Sequence, residues 1–284
     1  MFFCLASGAA FGAMAVFGKL AYAEGATVGT LLALRFLFAS GLFWAGNATS
    51  VAKGVRPLKR QLSRRDACLA LGLGAGGYAV QAGLYFAALS RIDAGLLSLL
   101  VFTFPVIVAV AAVALGRERL TRRRTSALAI ALGGTTLFVG STGAIDTLGV
   151  VLGLGAAVLY SAYILVSEGV AKRMPPQMLA TLVCTGAAAA LTVSTIALGE
   201  FRPGDLTLAG WWWLLCLAGI STVGAITLFF AGLKRVGPTT SSILATVEPL
   251  ATLVLAFLVF GDTISAIGIA GAGLIVLAVW LVSG

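Results

Sequence analysis

Apolar residues dominate the chain in long charge-free runs, and the polar residues collect in short stretches between them. About 20 consecutive apolar residues suffice for one helical crossing of a bilayer. Ten such spans can be placed, at about 2–22, 27–46, 66–89, 94–115, 124–141, 147–171, 176–198, 207–233, 238–260 and 264–282. The pattern predicts an all-α membrane protein with ten transmembrane helices.

One stretch occurs twice. Residues 84–105 read LYFAALSRIDAGLLSLLVFTFP and residues 228–249 read LFFAGLKRVGPTTSSILATVEP, in register at an offset of 144. The register matches Phe86 with Phe230, Arg91 with Arg235, Ser98 with Ser242 and Pro105 with Pro249, and carries Glu118 onto Asp262. Apolar segments resemble one another by composition, but a shared Arg, Ser and Pro in one register indicates duplication of about half the chain. The expected halves are residues 1–141, with helices one to five, and 145–284, with helices six to ten.

Charge gives the halves an orientation. Alternate connections hold fifteen of the 19 Lys and Arg residues: six in 47–66, five in 116–124, then Lys172, Arg173, Lys234 and Arg235. The opposite set of connections holds Arg91 and Arg202 among several acids. Basic loops stay in the cytoplasm, so both termini are predicted to be cytoplasmic. Five spans per half is an odd number, so the two halves must be inverted. Inverted repeats build many secondary transporters, whose solute sites lie near the midplane where the copies meet.

Composition agrees with a membrane chain. It is 60% hydrophobic and 10% charged, where soluble domains carry about 25% charged residues. The net charge of +9 lies in short loops, which topology explains better than a nucleic-acid partner. With no His in the chain, no His-based metal site or general base is available. Cys4, Cys68, Cys184 and Cys216 show no paired spacing and are expected to be buried thiols, neither disulfides nor metal ligands. The glycine runs near 72–77 and 268–273 lie inside spans and follow no strand, so they read as close-packing sites rather than nucleotide loops.

The motifs resemble a known family. A small-residue helix ending in FAAL or FAGL, a short polar turn, a Ser-containing helix with Pro105 or Pro249, and then Glu118 or Asp262 followed by Leu/Ile and Thr/Ser resemble the drug/metabolite transporter superfamily. The similarity is to its ten-helix members with two EamA-type domains, extends over the whole chain, and includes Arg35 in the second helix. Arg117 departs from the pattern, which has Gly there, as Gly261 does in the second copy. The resemblance implies export of amino acids, drugs or other metabolites, and among its members the chain is similar to YddG-type aromatic amino acid exporters.

Several residues could carry transport. Pro105 and Pro249 fall midway along helices four and nine, where each removes a backbone hydrogen bond and frees the carbonyls of Val101 and Ala245. They are read as paired hinges lining a central cavity, against the alternative of packing kinks. Tyr78, Gln81 and Tyr85 share one face of helix three, and Tyr160, Tyr163 and Ser167 form a stripe on helix six. Ser98 and Phe102, with Ser242 and Thr246, lie within two turns of the prolines. Together these predict an aromatic cavity with neutral hydrogen-bonding groups, although Ser and Thr also serve helix–helix contacts. Glu248 is the deepest carboxylate and a candidate for a proton or a substrate amino group, against the alternative that it only pairs with Arg35 or a helix end. Arg35 reads as an anchor near a helix end, or alternatively as an attractor for a substrate carboxylate. Lys19 reads as a snorkelling anchor, and Trp211, Trp212 and Trp213 as an interfacial belt.

The expected function is a secondary transporter in the bacterial inner membrane, exporting small metabolites, foremost aromatic or hydrophobic amino acids, by alternating access. A broad drug or cation exporter of the same fold is the alternative, and a membrane enzyme a distant one. No catalytic residue, metal or cofactor is expected. The expected partners are the small-molecule substrate and membrane lipid around a monomer, with no nucleic acid.

Overall fold

A computed structural model describes residues 1–52, 63–89, 91–92, 94–119, 121–137, 146–261 and 266–283. Every regular element among them is helical. The first half contains α1 (Phe2–Ala23), α2 (Val28–Ala52) and α3 (Arg64–Gly72). A π-helical turn (Leu73–Tyr78) joins α3 to α4 (Ala79–Leu89), followed by α5 (Ala94–Val101), α6 (Phe104–Ala114) and α7 (Arg122–Leu137). The second half contains α8 (Thr147–Ala171), α9 (Pro176–Ala197) and α10 (Leu208–Ala218). A second π-helical turn (Gly219–Gly224) leads into α11 (Ala225–Ala245), then α12 (Val247–Phe260) and α13 (Ala266–Ser283).

Six helical stretches among the described residues are long and apolar enough to cross a membrane: Phe2–Ala23, Val28–Thr49, Arg64–Tyr85, Thr147–Ala171, Pro176–Ala197 and Leu208–Ala245. Leu99–Ala114, Val247–Phe260 and Ala266–Val282 are shorter apolar helices. The predicted fifth span runs past α7 into residues 138–141, which lie outside the described ones. Within α11, Gly237 leaves helical geometry (φ 79°, ψ 172°) and Pro238 opens the next segment. A left-handed backbone of this kind favours glycine.

Helices four and nine are broken rather than merely kinked. The first stops at Val101 and restarts at Phe104, with Pro105 in the opening turn, where its missing N–H costs no helical bond. The second stops at Ala245 and restarts at Val247, just before Pro249. Each break has a threonine that takes over a carbonyl: Thr103 Oγ1 donates to Leu100 O at 2.6 Å, and Thr246 Oγ1 to Ile243 O at 2.6 Å.

Neighbouring helices close over these breaks. Ser161 Oγ of α8 donates to Phe104 O at 3.3 Å, and Thr252 Oγ1 of α12 donates to Gly12 O of α1 at 3.0 Å. A Cβ on Gly12 would lie 2.7 Å from Glu248 O, so α1 can rest on the second break only as glycine. Elsewhere α2 packs on α9, α7 on α13, α4 to α6 on α8, and α1 on α10 to α12. Most contacts therefore run between residues before and after 146.

The departure at Arg117 has a local cause. Gly261 ends α12 in the left-handed conformation (φ 71°), whereas after α6 that role falls to Gly116 (φ 66°), one register position earlier. Arg117 is free to reach across, donating to Leu165 O at 2.7 Å and pairing with Glu168 at 3.4 Å. Glu168 also binds Lys172; Glu118 pairs with Arg124 at 3.2 Å and Asp66 with Arg173 at 2.8 Å. The basic connections are thus stitched together by buried or half-buried acids.

Two sequence expectations change here. Cys4 and Cys184 are buried, but Cys68 is exposed and Cys216 half-buried, because α3 turns Cys68 away from its helix neighbours. Within the run Trp211–Trp213 only Trp212 points outward; Trp211 packs on Phe38 (5.9 Å between centroids) and Trp213 on Phe17 (6.2 Å). Three consecutive helical residues span too wide an arc to share one face.

The tightest helix contact is reciprocal: a Cβ on Gly74 would meet Val183 O at 2.0 Å and one on Gly186 would meet Leu71 O at 2.1 Å. Gly186→Ala is expected to lose about 1–3 kcal/mol of stability through overpacking, read as a lower melting temperature in detergent. Gly72→Ala, which meets nothing within 4 Å, should leave it unchanged.

Candidate functional site

Four interruptions of regular helix converge on one cavity of about 700 Å³. Val101 and Phe102 come from the first proline break, and Glu248 and Pro249 from the second. Tyr78 ends the first π turn, and Leu217 precedes the second. π turns are rare and occur often at functional sites. The remaining wall is supplied by α1 (Phe11, Met14, Lys19, Tyr22), α2 (Leu31, Leu32, Arg35), α4 (Gln81, Tyr85) and α12 (Thr252, Leu253, Ala256).

The cavity floor is an aromatic chain. Phe36 meets Tyr78 at 5.0 Å, Tyr78 meets Tyr163 at 5.9 Å, Tyr163 stacks on Tyr160 at 6.1 Å, and Tyr160 meets Phe104 at 4.8 Å. Phe104 continues to Phe102 at 6.0 Å. Offset and edge-on ring pairs each add about 0.5–1.5 kcal/mol beyond buried area, so this chain is a stiff wall.

Among the sequence-derived residues, Tyr78, Gln81, Tyr85, Phe102, Tyr160, Glu248 and Pro249 line the cavity together. Tyr163 lies behind them, buried against Tyr78 and Tyr160. Ser242 and Thr246 are buried in helix packing, their hydroxyls donating to Thr239 O (2.8 Å) and Ile243 O (2.6 Å) rather than to the cavity. Ser167 is fully buried away from the lining. Pro105 is buried and does not line the wall. The side chain of Ser98 lies outside the described residues.

Arg35 departs most from the sequence expectation. Seven residues into α2 it does not turn outward to a helix end; it is 3% exposed and lies against the cavity. Its Nε donates to Thr222 Oγ1 at 2.7 Å, while Nη2 stands 3.5 Å from Ser221 O and from Tyr78 Oη, at the limit of hydrogen bonding. Thr222 Oγ1 in turn donates to Leu217 O at 3.0 Å, a carbonyl at the edge of the π turn. Lys19 lies over the Phe260 ring, 4.1 Å from its centroid, at the rim. Phe11, Met14, Leu31 and Leu32 were not foreseen, because an apolar residue in an apolar span carries no signal.

The EamA-like transporter family matches residues 1–140 and again 147–284. The chain belongs to that family. An uncharacterized transporter of Archaeoglobus fulgidus is 26% identical over 220 residues, covering 78% of this chain and 77% of that protein. A crystal structure of a protein with 20% identity superposes with a TM-score of 0.83, covering 99% of this chain and 94% of the other; at that identity the likeness is one of fold. Membership makes this a multi-pass membrane transporter.

Thr222→Val keeps the side-chain volume and removes the acceptor from Arg35 Nε. Hydrogen bonds to charged groups contribute about 1.5–3 kcal/mol, so thermal unfolding in detergent should shift downward by a corresponding amount. An unchanged melting temperature would mean that Thr222 does not hold the guanidinium.

Proposed function

We propose that this transporter exports small amphipathic metabolites, foremost amino acids with aromatic or hydrophobic side chains, by alternating access across the plasma membrane. The reading carries with it ten spans in two inverted halves, with both termini in the cytoplasm. The observation that supports it best is the cavity itself: an aromatic wall with a few neutral hydrogen-bonding groups and a carboxylate, Glu248, that makes no ion pair within 4 Å among the described residues. Rings in the solute would find the tyrosine and phenylalanine faces, and a protonated amino group would find Glu248.

The packing supports the inversion. Helices expected to be equivalent pack on each other, α2 with α9 and α7 with α13. The contacts of α1 with α10 to α12 are mirrored by those of α8 with α4 to α6. That exchange is what a two-fold axis in the membrane plane produces.

The cavity also supports a sidedness. Lys19, Tyr22, Leu31, Gln81, Tyr85 and Ala256 lie toward the ends of their helices remote from the basic connections. At the opposite ends, Arg117–Glu168–Lys172 and Asp66–Arg173 draw the connections together. If the basic loops face the cytoplasm, this is the outward-facing conformation, sealed inside by ion pairs.

A broad organic-cation exporter is the second reading, favoured by the same Glu248. Flux of labelled phenylalanine, leucine and a lipophilic organic cation from proteoliposomes separates the two. Amino acid flux should saturate, and Glu248→Gln should lower it about tenfold or more, on the scale of one charge-assisted hydrogen bond. Ala256→Trp, which fills the mouth, should abolish flux without lowering the melting temperature. Amino acid flux intact in Glu248→Gln, with cation flux lost, would select the second reading.

A further inference from the structure

We propose that Arg35 is the carboxylate-binding subsite of the cavity, a specificity-determining residue that selects solutes bearing an organic anion beside their apolar group. This rests on the transporter reading above and names the chemistry of one part of its site. A guanidinium removed from water needs a partner, and burial of a charge without one is strongly unfavourable. Arg35 is 97% removed from solvent yet forms no salt bridge among the described residues; its neighbours there are the Thr222 hydroxyl, the Ser221 carbonyl, the Tyr78 phenol and the Phe36 ring. Its Nη1 has no hydrogen-bond partner among the described residues.

Those neighbours orient the group without neutralising it. Nε is fixed at 2.7 Å by Thr222, and the Phe36 ring stands 5.0 Å from the guanidinium carbon. A planar guanidinium with free donors matches a carboxylate through parallel N–H···O bonds. A lysine would supply charge without that geometry.

The second, independent observation is the backbone around it. Tyr78 closes the π turn Leu73–Tyr78, and Ser221 and Thr222 lie in the π turn Gly219–Gly224. Arg35 therefore bridges the irregular turns of two helices that the repeat places in corresponding positions, one from each half. The Ser221 hydroxyl beside it is buried without a partner. A π turn widens the helix and releases backbone groups from their regular bonds. Here that opening accommodates a large charged side chain at depth and leaves hydrogen-bonding capacity unused. An arginine needed only for folding would be expected to pair with an acid; Glu248, the carboxylate on the same cavity wall, forms no salt bridge with it.

The test uses three related probes in proteoliposomes holding the full chain: L-phenylalanine, phenethylamine, which lacks the carboxylate, and 3-phenylpropionate, which lacks the amine. In the unmodified protein, unlabelled phenylalanine should compete with labelled phenylalanine at least tenfold better than phenethylamine does. Arg35→Gln should weaken phenylalanine about tenfold to hundredfold, the range for charge-assisted hydrogen bonds, and erase its advantage over phenethylamine. Arg35→Lys should recover only part of it.

Thr222→Val supplies a second variant that keeps the charge of Arg35, with phenylalanine competition weakened and phenethylamine competition unchanged. Thermal stabilisation of purified protein by 3-phenylpropionate provides a readout independent of flux. Stabilisation present in the unmodified chain and absent in Arg35→Gln supports the subsite even if no amino acid is transported, an outcome that would overturn only the substrate reading. Equal competition by phenylalanine and phenethylamine in the unmodified protein, or an unchanged ratio in both variants, overturns the subsite.

Discussion

Backbone that leaves regular helix inside a bilayer must recover its hydrogen bonds from protein, because no water is present to supply them. This chain leaves regular helix at four deep places, two proline breaks and two π turns, and all four adjoin the central cavity. The solutions are local and cheap. Thr103 and Thr246 bond back to Leu100 and Ile243, Ser161 covers Phe104, and α1 rests on the second break through Gly8 and Gly12. Irregular backbone is tolerated there because it lines a cavity or is covered by a helix that has no side chain in the way.

The same constraint explains Arg35. A π turn gives a long polar side chain room and loose carbonyls, and the guanidinium occupies the space between the two turns. Energetically this is a poor way to build a stable wall, since a neutral residue of similar volume would avoid the desolvation of a charge. A surface that must bind and release a charged solute can carry such a residue. On the proposed alternating-access reading, the breaks and turns are the parts that move, and the ion pairs joining the basic connections hold one end closed.

Much of this could be read from the residues before the fold was in hand, and the limits have physical causes. Long apolar runs gave the helices because lipid demands that length, and Pro105 and Pro249 marked the breaks because proline cannot be hidden in a helix. The stripe Tyr78–Gln81–Tyr85 does line the cavity, since a polar group deep in an apolar helix has few other places to point. Ser242 and Thr246 satisfy themselves on their own helix instead, a choice that residue type does not reveal. Arg35 was misplaced because depth along a helix was judged without its rotation, which turns the side chain inward. The π turns, LGAGGY and GISTVG, share small residues but no pattern that distinguishes them from ordinary close packing.

The proposed inverted, outward-facing arrangement around the cavity is tested most directly by the side from which its wall can be reached. In a chain with Cys4, Cys68, Cys184 and Cys216 replaced, Gln81→Cys would be exposed to a membrane-impermeant maleimide in right-side-out and inside-out vesicles. Faster labelling from the face opposite the basic connections, slowed by L-phenylalanine, is the predicted result. Faster labelling from the basic face, or no labelling from either, would contradict it.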